Sequence, residues 1–167
     1  MPVVSEIILI MRQVRYQGAI VKDHHILLIQ HRLHDGEAHW LFPGGGIEPD
    51  ESEAECVARE MQEETGLEVA VGSLLFAFPE PEFEGRIYAI YTTLDTYLCT
   101  PIGGVARPGF EPEPEAAASY SIAAVEWFDL RSPARWPNEV QADTITFSQL
   151  QEVRKVLGYG IDSENQE

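Results

Sequence analysis

The alternation of apolar and polar positions divides the chain into strands and two helices. Tyr16 to Val21 and Ile26 to Ile29 are apolar stretches separated by the polar turn Lys22 to His25, which predicts a hairpin. Trp40 to Pro43 predicts a further short strand that runs into Gly44, Gly45 and Gly46. Arg86 to Leu98 is apolar at odd and even positions alike (Ile87, Tyr88, Ala89, Ile90, Tyr91), as in a strand covered on both faces. Ile122 to Leu130 predicts the last strand. Helical spacing begins after Ser52, where Ala54, Val57, Ala58 and Met61 cluster on one face. Ser52 and Glu55 have the form of a capping box, and Gly66 suits the left-handed residue that ends such a helix. A second helix is expected from Ser148 to Leu157, with Phe147, Leu150, Val153 and Leu157 apolar, Ser148 and Gln151 as another capping box, and Gly158 as its stop. The two helices would cover opposite faces of the sheet. The expected fold class is therefore α/β, a mixed sheet between helices, in a single domain over 1–160 followed by a flexible polar tail, 161–167. Thr100 to Ser119, with Pro101, Pro108, Pro112 and Pro114, reads as irregular.

The first helix carries chemistry as well as packing. At about 100° per residue, Glu60, Glu63 and Glu64 span an arc of roughly 100° beside the apolar face. Glu60 and Glu64 are like charges one turn apart, an arrangement that weakens an isolated helix by roughly 0.2–0.5 kcal/mol unless a cation lies between them. Carboxylates without neighbouring cysteine or histidine suit a hard divalent ion, Mg²⁺ or Mn²⁺, which keeps several waters and leaves room for a phosphate. Ahead of the helix, the three glycines permit positive φ and close backbone approach, so the loop can turn sharply. Arg59 projects from the helix away from Glu60.

The stretch Gly45 to Leu67, GGIEPDESEAECVAREMQEETGL, has a spacing that goes beyond these separate readings. Gly45, five residues, Glu51, seven residues, then Arg59, Glu60, Met61, Glu63, Glu64, Gly66 and Leu67 resembles the Nudix box of the Nudix hydrolases. The resemblance covers 23 residues. It implies an α/β/α sandwich and hydrolysis of a phosphoanhydride in a nucleoside diphosphate linked to another moiety. It also implies that Arg59 pairs with Glu51 to fix the loop, that Glu60 and Glu64 are the primary metal ligands, and that Glu63 completes the site. The general base is left open between Glu60, Glu63 and a glutamate from a distant loop, for which Glu111, Glu113 and Glu115 are the candidates. Arg32, at the end of the second strand, is a candidate for a phosphate contact, and Trp40, Phe78 or Tyr88 for stacking on a base. Phe78-Pro79-Glu80-Pro81 is similar to ADP-ribose pyrophosphatases of the family, while activity on oxidised or normal nucleoside triphosphates is equally compatible.

Composition narrows the partners. The chain has 167 residues, 44% of them apolar, enough for one packed core. With 28 acidic against 11 basic residues, a net charge of −17, it lacks the clustered cations that a nucleic acid backbone requires. A single anionic nucleotide stays compatible if metal supplies the positive charge. Ile7 to Met11 is too short for a membrane span or a signal peptide, so the expected location is the cytoplasm. Cys56 and Cys99 imply no disulfide framework. The competing readings are a non-catalytic nucleotide sensor and an interaction protein, with Ile7 to Met11 pairing as the edge strand of a homodimer.

Overall fold

The computed structural model describes residues 13–79, 91–109 and 120–160. The elements run β1 (Gln13–Lys22), β2 (His25–Leu33), β3 (Ala38–Leu41), β4 (Gly44–Gly45), α1 (Glu53–Thr65), β5 (Leu67–Pro79), β6 (Tyr91–Gly104) and β7 (Tyr120–Asp129). A 3₁₀ turn (Pro133–Arg135), α2 (Asn138–Ala142) and α3 (Thr144–Val156) complete the chain. The sheet order is β3-β2-β1-β6-β5, with β4 beside β1 and β7 beside β2. β1 and β6 are parallel and the other pairs antiparallel, so the sheet is mixed.

The expected hairpin forms, with Val21 opposite Ile26 and Lys22 opposite His25. Asp23 and His24 at its tip take positive φ, 49° and 66°, as a tight two-residue turn demands. Beyond it the strands part. β2 pairs with β3 and β7, while the start of β1 pairs with the glycines, Tyr16 opposite Gly45 and Gln17 opposite Gly44. Strand alternation then sends neighbours to different cores. Ala19, Ile26, Leu28, Trp40 and Phe42 pack with Leu150 and Val153 of α3, whereas Ile20 and Leu27 pack with Cys56, Val57 and Met61 of α1. The helices thus cover opposite faces, as the two-sided apolar strands require.

Three expectations shift. The last helix starts at Thr144 and not at Ser148: Asp143 accepts from the N–H groups of Ile145 and Thr146, and the Thr146 hydroxyl donates to Trp40 O at 2.6 Å. This cap and tertiary anchor outweigh the poor helix propensity of Thr144-Ile145-Thr146. Ser148 and Gln151 lie inside the helix. β6 continues through Pro101 to Gly104 where irregular chain was expected; Pro101 sits opposite Val69 at a register shift, the place a sheet tolerates a proline. The glycines adopt no positive φ; the left-handed residue in this part of the chain is Asp50, at 65°. Residues 1–12, 80–90, 110–119 and 161–167 lie outside the described residues, and with them Ile7 to Met11, Tyr88, the candidate glutamates Glu111, Glu113 and Glu115, and the expected tail. Among the described residues no helix is long and apolar enough to cross a membrane.

Candidate active site

α1 is fixed at both ends by its own sequence. The Ser52 hydroxyl accepts from Glu55 N–H at 3.1 Å, and the Glu55 carboxylate accepts from Ser52 N–H at 3.4 Å, the reciprocal capping box. Gly66 closes the helix at φ 76°. Between them, the carboxylate face does not look into water: Glu60 is 4% exposed and Glu64 fully buried. They lie against the glycine strand. Glu64 Oε1 accepts from Gly44 N–H at 2.8 Å, and its Oε2 stands 3.7 Å from His31 Nε2. A Cβ on Gly45 would come within 2.7 Å of the Glu60 carboxyl carbon. One on Gly44 would strike Gln17 of β1, 2.6 Å from its Cβ. Two glycines are therefore required by close approach, the second of the two reasons the sequence offered.

Arg59 organises the exposed side of this cluster. Its Nε and Nη2 fork onto Glu51 at 2.7 and 2.9 Å, and Nη2 also donates to Gly46 O at 3.1 Å. The third arm, Nη1, donates to Glu60 Oε1 at 3.0 Å and to Glu63 Oε2 at 3.1 Å. The side chain does not point away from Glu60, as helical projection suggested; its length lets it fold back along the helix. Hydrogen bonding to Arg59 holds the Glu51 carboxyl below its usual range against the opposing effect of burial. Glu60 moves the other way. Burial first, and the nearby Glu64 carboxylate second, push its carboxyl up to about 9 although Arg59 and Arg15 oppose the shift. Among the described residues, no three His, Cys, Asp or Glu side chains converge as a metal site would require. Arg59 Nη1 lies between Glu60 and Glu63, and the Glu64 carboxylate is turned toward Gly44 and His31.

A family model for the NUDIX domain matches residues 12–148, most of the chain. The chain belongs to the NUDIX family. An ADP-ribose pyrophosphatase of Methanocaldococcus jannaschii is 37% identical over 98 residues, 58% of this chain and 55% of that protein. A CTP pyrophosphohydrolase of Escherichia coli is 37% identical over 83 residues, 48% of this chain and 61% of that one. The aligned part thus spans little more than half the length of these relatives. The crystal structure of a MutT NUDIX hydrolase from Burkholderia pseudomallei superposes with a TM-score of 0.62 at 25% identity, covering 85% of this chain and 98% of that one. The α/β/α architecture is the NUDIX fold.

The other sequence candidates in this NUDIX chain fall in different places. Trp40 is core, 5% exposed, edge-on to Phe128 and donating its indole N–H to Glu139 at 3.2 Å, so no base stacks on it in this arrangement. Arg32 is exposed at the end of β2 between Ala38 and Ser121, and its neighbour His31 is the residue that meets the box. Phe78 is half-buried, edge-on to Phe76. The chain after β6 docks on the end of α1, with Arg107 N–H donating to Thr65 O at 2.8 Å and Gly109 N–H to Glu64 O at 2.9 Å. Two residues escaped the sequence reading. Arg15, 2% exposed, donates to Phe42 O at 3.0 Å and to Gln17 at 3.3 Å, directly ahead of the glycines. His31 is buried beside Glu64. Both are polar residues within strands otherwise rich in buried apolar side chains, and that interruption was the available signal.

Proposed function

We propose that this NUDIX chain is a metal-dependent pyrophosphohydrolase that cleaves a phosphoanhydride in a nucleoside diphosphate linked to another moiety. The observation that carries the reading is the arginine nitrogen lodged between Glu63 and the buried Glu60, whose carboxyl is pushed up to about 9 by burial and by the neighbouring Glu64. Such a cluster calls for more positive charge than one guanidinium provides. The donors are all oxygen, which suits Mg²⁺ or Mn²⁺ held by Glu60, Glu63 and Glu64. When bound, the ion would neutralise diphosphate oxygens and lower the pKa of the attacking water.

The chain's own groups supply geometry and proton handling. The Arg59–Glu51 fork and the Gly44–Glu64 bond hold the glycine strand at a fixed distance from the carboxylates. Water attacks one phosphorus, the bridging P–O bond breaks, and a carboxylate accepts the proton of the water; that base is drawn from Glu60, Glu63 or one of Glu111, Glu113 and Glu115. ADP-ribose, a sugar nucleotide and an oxidised nucleoside triphosphate are the substrate classes, and the similarity to an ADP-ribose pyrophosphatase and a CTP pyrophosphohydrolase supports a nucleotide. A small anionic substrate, a single domain over 1–160 and a cytoplasmic location complete the reading, and a homodimer is compatible with it. The test is phosphate and nucleotide release from a panel of these compounds and dinucleoside polyphosphates, with Mg²⁺ and with chelator. Cleavage of one class that is lost with chelator, and reduced by orders of magnitude in a folded Glu64→Gln variant, is the expected result. Equal turnover by Glu64→Gln would sink the assignment of this face, and no cleavage despite metal binding would favour a nucleotide sensor.

A further inference from the structure

We infer that His31 is a positioning residue for Glu64, one that fixes which oxygen of this carboxylate is presented to a divalent ion; the inference rests on the metal reading above. Glu64 is fully buried at the end of α1, and a carboxylate taken out of water needs directed support at both oxygens. Support comes from two different elements. Gly44 N–H holds Oε1 at 2.8 Å, from the glycine strand. His31 Nε2 faces Oε2 at 3.7 Å, from β2, a distance of electrostatic contact and longer than a hydrogen bond. The imidazole itself is fully buried, and the His31 backbone stands opposite His39 of β3 and Ile122 of β7, so the strands on both sides of β2 fix where its side chain begins. A rigid strand thus aims a nitrogen at a carboxylate on the catalytic helix. Outer groups that orient a ligating carboxylate generally carry a tenfold to hundredfold share of metal affinity.

The geometry also says which replacements keep the function. The amide nitrogen of glutamine reaches about as far as Nε2 of histidine, whereas that of asparagine reaches about as far as Nδ1. His31→Gln should therefore retain a nitrogen facing Glu64 that His31→Asn and His31→Leu lack. The experiment is Mn²⁺ titration, followed by electron paramagnetic resonance without substrate, of the parent, these three variants and Glu64→Gln, with thermal unfolding as a check on folding. The expected result is a Mn²⁺ Kd weakened on the order of tenfold to a hundredfold in Asn and Leu and restored to within a few-fold of the parent in Gln. A merely structural role would not distinguish Gln from Asn in this way. Should His31→Leu fail to fold, the Gln and Asn pair still decides. Parent-like Mn²⁺ affinity in His31→Asn, or equal weakening in Gln and Asn, overturns the role of His31 alone. A parent protein that binds no Mn²⁺ overturns the metal reading and this inference with it.

Discussion

Raising the pH from 7 to 9 should tighten binding of Mg²⁺ to the substrate-free protein, because the ion competes with a proton on Glu60. The carboxyl of Glu60 stands at about 9, against an ordinary 4.5, through burial and the adjacent Glu64. With that value, about one molecule in a hundred carries an ionised Glu60 at pH 7 and about half do at pH 9, so apparent affinity should increase roughly fiftyfold and then level off. Calorimetric titration in buffers of different ionisation enthalpy reads both the affinity and the protons released. Close to one proton per ion should leave at pH 7 and about half a proton at pH 9. The same carboxyl acts on the stability of the metal-free chain with a definite sign. The folded state keeps the proton at pH values where the unfolded chain has lost it, so its contribution is fully present below about 4.5 and is lost as pH rises through about 9. Unfolding in chelator should accordingly move to lower temperature between pH 6 and 9, and added Mg²⁺ should reverse the loss most strongly at the alkaline end. An Mg²⁺ affinity that stays within about twofold from pH 7 to 9, with no proton release, would refute the assignment of Glu60 as a protonated ligand.

Arg59→Lys keeps a charge but cannot fork onto Glu51 while reaching Gly46 O, Glu60 and Glu63, so kcat/KM should fall on the order of tenfold to a hundredfold; steady-state kinetics equal to the parent would contradict the role of the fork. Gly45→Ala brings a methyl against the Glu60 carboxyl and should lower Mg²⁺ affinity by more than about tenfold with circular dichroism unchanged. Ser52→Ala removes the hydroxyl that accepts from Glu55 N–H and should lower stability by about 1 kcal/mol in urea unfolding, with turnover unaffected because the cap is exposed and about two turns from Glu60.

What the sequence revealed and what it hid follow from how far apart the interacting residues are. The capping box and the left-handed Gly66 connect residues at most four apart, and each was legible because local geometry alone brings them together, whereas the Arg59–Glu51 pair, eight apart, was legible through the resemblance to the Nudix box. The hairpin at Asp23 and His24 is local in the same sense. The start of α3 was misread because the poor helix propensity of Thr144-Ile145-Thr146 hid the local cap at Asp143, and the second anchor, Thr146 on Trp40 O, joins residues 106 apart. Trp40 illustrates the same limit: the sequence left a stacking face and a core position both open, and the packing of β3 against Phe128 and α2 makes it a core residue. Arg15 and His31 are marked in the sequence only as polar interruptions of apolar strands, and their partners, Phe42 O and Glu64, come to them from the loop after β3 and from α1 through tertiary packing.

Arg59 shows why the box and the sheet have to be considered together. Its guanidinium is divided in use: Nε and Nη2 shape the loop through Glu51 and Gly46, while Nη1 donates to Glu60 and Glu63. On the metal reading, a divalent ion has to take over only from the Nη1 arm. The loop contacts can therefore persist while Glu63 exchanges one cation for another and Glu60 exchanges its proton for the ion. Glu64 lies outside this exchange, since its supports are Gly44 and the sheet residue His31. One carboxylate is thus set before the ion arrives, and two are freed by its arrival. This division gives a reason for three glutamates on one helix where charge repulsion alone would favour fewer.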